Sequence, residues 1–148
     1  KFAIHESAFG FHLGKEDFET LSESEKELVK SSTLVKGTSS HSLTDLQNLT
    51  RINWDYSGIG PIFPTNTKSS EHPVLGVDFL KQARKFTEIS LAPIGGISEI
   101  NIESIFQSGN FFPASISAYS DEKRFRKCIA IFEKYLVPVE SQSHNVKL

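Results

Sequence analysis

Short apolar runs of strand length alternate along this chain with segments in which apolar residues recur at helical spacing. Such alternation, without a break in composition, predicts consecutive βα units. The predicted strands cover residues 9–13, 34–38, 56–60, 89–94 and 113–117. The pattern therefore indicates about five βα units, which together account for the length of the chain.

The helical segments between these strands carry start signals. The stretch SESEKELVKSS is typical of an amphipathic surface helix. Ser42 and Asp45 resemble a capping box, with Asp in place of the usual Glu, at the start of a helix with three leucines on one face. Residues 77–86 have the spacing of a helix that packs on a sheet.

Two further helices are predicted in the last third of the chain. Ser98 is expected to cap the segment EINIESIFQS, and Gly109 is expected to end it in a left-handed conformation. Asp121 is expected to cap a long final helix. The predicted inner face of that helix comprises Phe125, Ile129, Phe132 and Leu136.

Parallel strands joined by right-handed crossovers belong to an α/β fold, either an open doubly wound sheet or a closed barrel. The spacing of apolar residues alone does not decide between the open sheet and the closed barrel. A chain of 148 residues with 38% apolar content can bury one core. We expect one domain over residues 1–137 and a polar tail over residues 138–148.

Charge and cysteine content narrow the class of protein. A net charge of −2 provides no basic field for nucleic acid or anionic membranes. The single cysteine, Cys128, excludes an internal disulfide and is interpreted as a small buried hydrophobe. No apolar run approaches the ~20 residues of a membrane span. A soluble, cytoplasmic protein without nucleic-acid or membrane partners is expected, and its oligomeric state, including a homo-oligomer, is left open.

Residue types that can bind ligands or take part in catalysis follow each predicted strand. In both candidate architectures, functional residues collect at the carboxyl ends of the strands. Five segments occupy these positions in this chain: GKED at 14–17, GTSSH at 37–41, GPIFPTNTK at 60–68, GGI at 95–97 and SA at 117–118. The glycine pair would let backbone N–H groups approach a phosphate closely.

The segments GFHLGKED, KGTSSH, DYSGIGPIFPTNTK, PIGGISEINI and SISAY, in this order, resemble the thiamine phosphate synthase (thiamine-phosphate pyrophosphorylase) family. The resemblance runs from about Ala8 to Ala118. It implies a (β/α)8 TIM-type barrel of which the chain holds the fourth to eighth strands. It also implies a magnesium-dependent transferase that joins hydroxymethylpyrimidine diphosphate to thiazole phosphate and releases pyrophosphate.

The same resemblance implies roles for individual residues. Asp17 matches a magnesium-binding aspartate, and Ser39 matches a serine that faces the pyrimidine diphosphate. Thr65 and Thr67 match threonines beside the thiazole phosphate, and Lys68 matches a lysine that meets the diphosphate. Three further positions match those that hold the thiazole phosphate, mainly through backbone N–H groups: Gly96, Ile116 and Ser117.

Some features depart from the family pattern. The first three βα units and their pyrimidine-binding residues have no counterpart here. Lys15 stands where the family has glutamine, and Pro93 and Pro113 fall inside predicted strands, where proline deletes a ladder hydrogen bond. A degenerate barrel that binds a phosphorylated ligand without catalysis is therefore one alternative to the synthase.

The histidines raise a second alternative. His41 occupies the strand end where the related thiazole tautomerases use a histidine for proton transfer. The remaining histidines show no metal-ligand spacing and are interpreted as packing or surface residues. They are His5, His12, His72 and His144.

Overall fold

The computed structural model describes residues 3, 6, 8–49, 52–66 and 72–135. Four strands alternate with helices in these ranges. The strands are β1 (Gly10–Leu13), β2 (Val35–Ser40), β3 (Tyr56–Ile59) and β4 (Ser90–Pro93). The helices are α1 (Lys15–Glu19), α2 (Glu23–Ser31), α3 (Leu43–Asn48), α4 (Val77–Ala83), α5 (Ile102–Ser108) and α6 (Glu122–Tyr135).

The four strands form one parallel sheet in the order β1-β2-β3-β4. The register aligns His12 with Gly37, Gly37 with Tyr56, and Tyr56 with Ser90. Strands that are neighbours in sequence are thus neighbours in space, and helices connect them. This arrangement confirms the first four predicted strands, each to within two residues at either end.

The two faces of the sheet differ in burial. Along β3 and β4 every second residue is buried, including Ser57, Ile59 and Leu91. Ile59 and Leu91 belong to the apolar core that the sheet shares with the helices. The opposite face carries more accessible residues, among them His12 and Tyr56. One face is therefore the helix-covered core side, and the other is the more accessible side in this part of the fold.

The fifth predicted strand, residues 113–117, is reduced to a single parallel bridge between Ile94 and Ala114. The Phe112 amide donates to the Leu91 carbonyl at 3.3 Å, and the Ala114 amide donates to the Pro93 carbonyl at 2.8 Å. In a parallel ladder, Pro93 would return a bond to Phe112, but proline has no N–H. The chain follows the expected path without completing a ladder.

Helix boundaries correct two expectations at α5. Asn101, and not Ser98, is the N-cap residue, so the helix begins at Ile102. Gly109 ends the helix with a positive φ of 150°, which glycine permits, but its ψ of −177° lies outside the expected left-handed helical region. The Ser42 hydroxyl accepts the Asp45 amide as predicted.

The final helix buries only part of the predicted face, together with Cys128, whose burial was predicted separately. Asp121 caps it through the Arg124 amide at 2.9 Å, as expected. However, Phe125 and Ile129 are 38% and 39% exposed, and Cys128 is the buried residue among those described in this helix. Phe132 does contact the core through Phe106. Leu136 and the tail at 138–148 lie outside the described residues.

Candidate active site

A cavity of about 690 Å³ lies at the carboxyl ends of the strands. This volume is within the range of small-molecule sites, about 300–1,000 Å³. Its wall comes from every strand end and from the segment after β4. The lining residues are Gly14, Glu16, Asp17, Ser39, His41, Gly60, Pro61, Thr65, His72, Ile94, Gly95, Gly96, Ile97, Ala114, Ser115, Ile116 and Ser117.

Six of the eight site residues predicted from the sequence line this cavity. They are Asp17, Ser39, Thr65, Gly96, Ile116 and Ser117. The other two, Thr67 and Lys68, lie outside the described residues. Segments up to about 100 residues apart in sequence thus converge on one volume, because parallel strands direct all their carboxyl ends to the same edge.

Ser39 is held by a network that the sequence did not indicate. It lies within β2, which runs two residues further than predicted, and faces the accessible side of the sheet. His12 Nε2 is 2.9 Å from Ser39 Oγ, and His12 Nδ1 is 3.1 Å from the Tyr56 hydroxyl. His12 is exposed, as expected for a surface residue, and it contacts the cavity-lining Ser39 without lining the cavity itself.

The protonation state of His12 follows from its surroundings. Partial burial lowers the pKa of His12 below the ordinary histidine value, which favours the neutral ring at pH 7. A neutral imidazole has one N–H donor and one acceptor nitrogen. Because the hydroxyls of Ser39 and Tyr56 can each donate or accept, the chain of three side chains is satisfied with either tautomer.

Gly37 makes room for this network. A Cβ atom at Gly37 would overlap the ring of Tyr56, which lies across the glycine from the neighbouring strand. Without a side chain at residue 37, the Tyr56 ring can tilt toward His12 at a centroid distance of 5.6 Å. The glycine of the KGTSSH segment thus has a packing role inside the sheet.

The proline-rich segment after β3 extends the pairing between β3 and β4. The Ile62 amide donates to the Ile94 carbonyl at 2.9 Å, and the Phe63 amide donates to the Gly95 carbonyl at 3.1 Å. A Cβ at Gly96 would overlap the Phe63 and Pro64 carbonyl oxygens. The segment and the glycine pair therefore form one close-packed part of the cavity wall, which brings Thr65 and Gly96 together.

His41 has a defined tautomer. Its Nδ1 lies 2.7 Å from the Gly60 carbonyl oxygen, and a carbonyl can only accept, so Nδ1 carries the proton. The neutral ring then keeps its lone pair on Nε2. The ring of His72 stacks on His41 with a centroid distance of 3.8 Å and an angle of 8°. His72 lines the cavity, which the sequence did not predict.

An ion pair connects the first and third helices beside the cavity. Lys15 Nζ lies 2.8 Å from Asp45 Oδ1, and the other carboxylate oxygen accepts the His41 amide at 2.9 Å. Burial acts to raise the pKa of Asp45, but the hydrogen bonds from Lys15, His41 and Ser42 outweigh burial and lower it. Lys15, the departure from the family pattern, thus anchors the helix that follows His41.

Asp17 and Glu16 are the carboxylates on the cavity wall. Among the residues that the structure describes, no group of three His, Cys, Asp or Glu side chains is close enough to hold a metal ion. Mg²⁺ commonly binds through one or two carboxylates together with substrate phosphates and waters. Asp17, exposed at the mouth of the cavity, fits that sparse mode of binding.

Comparison with known proteins agrees with this geometry. A family model described as thiamine monophosphate synthase matches residues 1–119. The chain belongs to the thiamine monophosphate synthase family. The match includes every predicted site residue.

Named relatives and a solved structure support the assignment. The chain is 36% identical over 132 residues to the thiamine-phosphate synthase of Lysinibacillus sphaericus, covering 88% of this chain and 60% of the relative. It is 35% identical to that of Dictyoglomus turgidum, covering 86% of this chain and 58% of the relative. Thiamine phosphate pyrophosphorylase from Pyrococcus furiosus superposes with a TM-score of 0.73 at 26% identity, covering 91% of this chain and 64% of the other.

These coverages define what part of the fold is present. The chain spans about three fifths of the length of the curated relatives it matches. Its parallel sheet with alternating helices is part of an α/β barrel of the TIM type. None of the helices in the described ranges combines the length and apolar content that crossing a bilayer requires.

Proposed function

We propose that the protein containing this chain joins hydroxymethylpyrimidine diphosphate to thiazole phosphate, giving thiamine phosphate and pyrophosphate. One observation carries the proposal. Six of the eight positions that match the family's substrate-facing residues come from separate strand ends and line a single cavity of about 690 Å³. The cavity thus offers an aspartate, a serine, a threonine and a glycine turn to its ligands.

The phosphate of the thiazole is assigned to the side of the cavity formed by Gly96, Ile116 and Ser117. Phosphate sites in barrels of this type are usually built by the loops after the seventh and eighth strands. The Ser117 side chain is exposed and can donate a hydrogen bond to a phosphate oxygen. Thr65, on the adjacent segment, lies on the same wall.

The diphosphate of the pyrimidine is assigned to the opposite side, near Ser39 and Asp17. The Ser39 hydroxyl, oriented by His12, can donate to a bridging or terminal phosphate oxygen. A lysine supplies a point charge to a leaving phosphate, and Lys68 is the proposed source of that charge. Bound magnesium, held by Asp17 with the diphosphate, would neutralise negative charge on the departing pyrophosphate.

The reaction that suits this arrangement is dissociative. Pyrophosphate leaves, a pyrimidine-methyl cation forms, and the thiazole nitrogen attacks the cation. The residues of this chain contribute by holding the two substrates in line and by presenting donors to the leaving group. The described wall needs no covalent intermediate with the enzyme.

The test is formation of thiamine phosphate by the full-length protein that contains this chain. The two substrates and Mg²⁺ are supplied, and product is measured by its conversion to fluorescent thiochrome. Asp17→Asn should raise the magnesium concentration needed for half-maximal rate, whereas Glu16→Gln should change it less. Absence of product from a folded protein that binds inorganic phosphate would instead favour the non-catalytic phosphate-binding barrel.

A second candidate activity, thiazole tautomerisation, is favoured by the tautomer of His41. With Nδ1 fixed on the Gly60 carbonyl, Nε2 can accept a proton as a general base. His41→Gln would abolish an isomerase but would leave the synthase reaction with most of its rate. Measuring both reactions with the same variant distinguishes the two activities.

A further inference from the structure

Asn101 makes two hydrogen bonds to the glycine turn after β4. Its Nδ2 donates to the Gly96 carbonyl at 2.9 Å, and its Oδ1 accepts the Ser98 amide at 2.8 Å. Because a carbonyl only accepts and an amide N–H only donates, one orientation of the side-chain amide satisfies both bonds. The side chain is therefore fixed against the turn at both ends.

These bonds select the orientation of one peptide unit. In a trans peptide the C=O and N–H bonds point in opposite directions. Gly96 and Ile97 line the cavity, whereas Asn101 does not. With the Gly96 carbonyl turned toward Asn101, the Ile97 N–H of the same unit points away from Asn101, and Ile97 itself lines the cavity.

The turn needs such an external restraint. Gly95 and Gly96 have φ values of 95° and 64°, and glycine populates several backbone regions at similar free energy. A reversed peptide unit at this position would present a carbonyl oxygen to a bound anion. The Asn101 side chain opposes that reversal because it would lose its acceptor.

Ser115 connects the glycine turn to the segment that contains Ile116 and Ser117. Its hydroxyl donates to the Ile97 carbonyl at 2.6 Å and accepts the Ala118 amide at 3.2 Å. One side chain thus bridges the glycine turn and the segment that contains Ile116 and Ser117. The two loops are held at a fixed separation although no complete strand ladder joins them.

We propose that Asn101 and Ser115 are positioning residues that orient the backbone N–H groups of this half of the cavity for a phosphate monoester. The inference rests on the proposed function and adds two residues to it: Asn101, outside the cavity lining, and Ser115, within the lining, each acting through the backbone groups that it bonds. Preorganised N–H donors stabilise anions well because they require no reorientation when the ligand arrives.

The first test uses Asn101→Asp, which keeps the size of the side chain but removes the donor to Gly96 and adds a negative charge, so the neutral Ser115→Ala variant is measured beside it. In the full-length protein that contains this chain, the KM for thiazole phosphate should rise about ten-fold, as for loss of one hydrogen bond next to a charged ligand. The KM for the pyrimidine diphosphate should stay within about two-fold by the same reasoning. Ser115→Ala should act in the same direction, and Ser115→Thr should restore the parent value.

The matched control is Ser108→Ala. It removes a side-chain bond of 2.6 Å to the Ile105 carbonyl at the far end of the same helix, so it should leave both KM values unchanged. An equal rise of both KM values in a folded Asn101→Asp variant would contradict the inference. So would an unchanged KM for thiazole phosphate.

A second measurement separates this inference from the proposed function. Binding of inorganic phosphate, followed by calorimetry, does not require turnover. If the protein forms no thiamine phosphate but Asn101→Asp weakens phosphate binding and Ser108→Ala does not, the proposed function fails and the inference stands. If the parent protein does not bind phosphate, or if Asn101→Asp binds it as the parent does, the inference is wrong.

Discussion

The imidazole Nε2 of His12, on β1, lies 2.9 Å from the hydroxyl oxygen of Ser39, on β2. The two residues are 27 positions apart, and the pairing of the first two strands brings them together. Tyr56 holds the other ring nitrogen at 3.1 Å, so the ring spans the accessible face of three adjacent strands. This contact gives Ser39 a defined orientation before a substrate is present.

Replacing His12 should reduce catalysis through Ser39. In His12→Ala, the Ser39 hydroxyl loses its partner and turns among several rotamers. Loss of one hydrogen bond costs about 1 kcal/mol, which corresponds to a rate decrease of about five-fold. Steady-state kinetics would show this decrease. If Ser39→Ala and the double variant lose no more activity than His12→Ala, both residues act through one group, whereas additive losses would contradict the link.

The same histidine should make stability depend on pH. Burial lowers the pKa of His12 in the folded state, so the unfolded chain binds more protons than the folded chain as pH falls below about 6.5. The contribution of His12 to the free energy of unfolding is therefore present at pH 7 and decreases as the pH falls through this range. Urea denaturation at several pH values between about 7.5 and about 5 would measure how steeply the free energy of unfolding changes with pH. In His12→Gln this dependence should be weaker.

Gly96→Ala should damage both stability and phosphate binding. Gly96 has φ 64°, and a non-glycine residue in this left-handed region costs about 1–3 kcal/mol. The new Cβ would also overlap the Phe63 and Pro64 carbonyls. Gly76→Ala is the control, since Gly76 has φ 76° with nothing within 4 Å of an added Cβ. The control should lower the melting temperature but leave phosphate affinity unchanged. Equal phosphate affinities for the two variants would argue against a tightly packed glycine turn.

Lys15→Gln, which introduces the residue typical of the family, should weaken the connection between α1 and α3. The expected loss is about 0.5–1 kcal/mol, because the lysine is 43% exposed and the Asp45 side chain 10% exposed. The pKa of Asp45 is depressed, so its contribution is present above about pH 4 and is lost as pH falls through the folded-state pKa. The difference between parent and variant should therefore disappear in acid.

Chemical denaturation at pH 7 and at low pH would measure that difference. Lys81→Gln provides the comparison, since the Lys81 pair with Asp78 has side chains that are 59% and 90% exposed. This exposed pair should contribute little at either pH. If Lys81→Gln lowers the free energy of unfolding as much as Lys15→Gln does, the burial of Asp45 does not strengthen the Lys15–Asp45 ion pair.

Several elements could be predicted because their signals are local. Four strands and the alternation of strands with helices follow from short apolar runs and from helical spacing, which depend on neighbouring residues. The caps at Ser42 and Asp121 were also predicted, since a cap needs only a side chain and an amide three residues later. The position of the cavity followed as well, because parallel strands place all their carboxyl ends together.

Other elements could not be predicted because they depend on contacts between distant segments. The fifth strand lost its ladder because Pro93 lacks the N–H that faces Phe112, and only the alignment of the two segments shows which atom is missing. The last helix leaves Phe125 and Ile129 38% and 39% exposed, whereas Phe132, from the same predicted face, contacts Phe106 on the preceding helix. The sequence alone does not show which part of that face Phe106 reaches.

The sequence by itself determined the order of strands and helices, the parallel α/β class and the rim on which the functional residues meet. Only the tertiary structure decided which side chains act together there: His12 with Ser39, His41 with the Gly60 carbonyl, and Asn101 with the glycine turn. The physical reason is that periodicity is set by backbone geometry within a few residues. A hydrogen bond across the sheet requires the register of strands that are tens of residues apart.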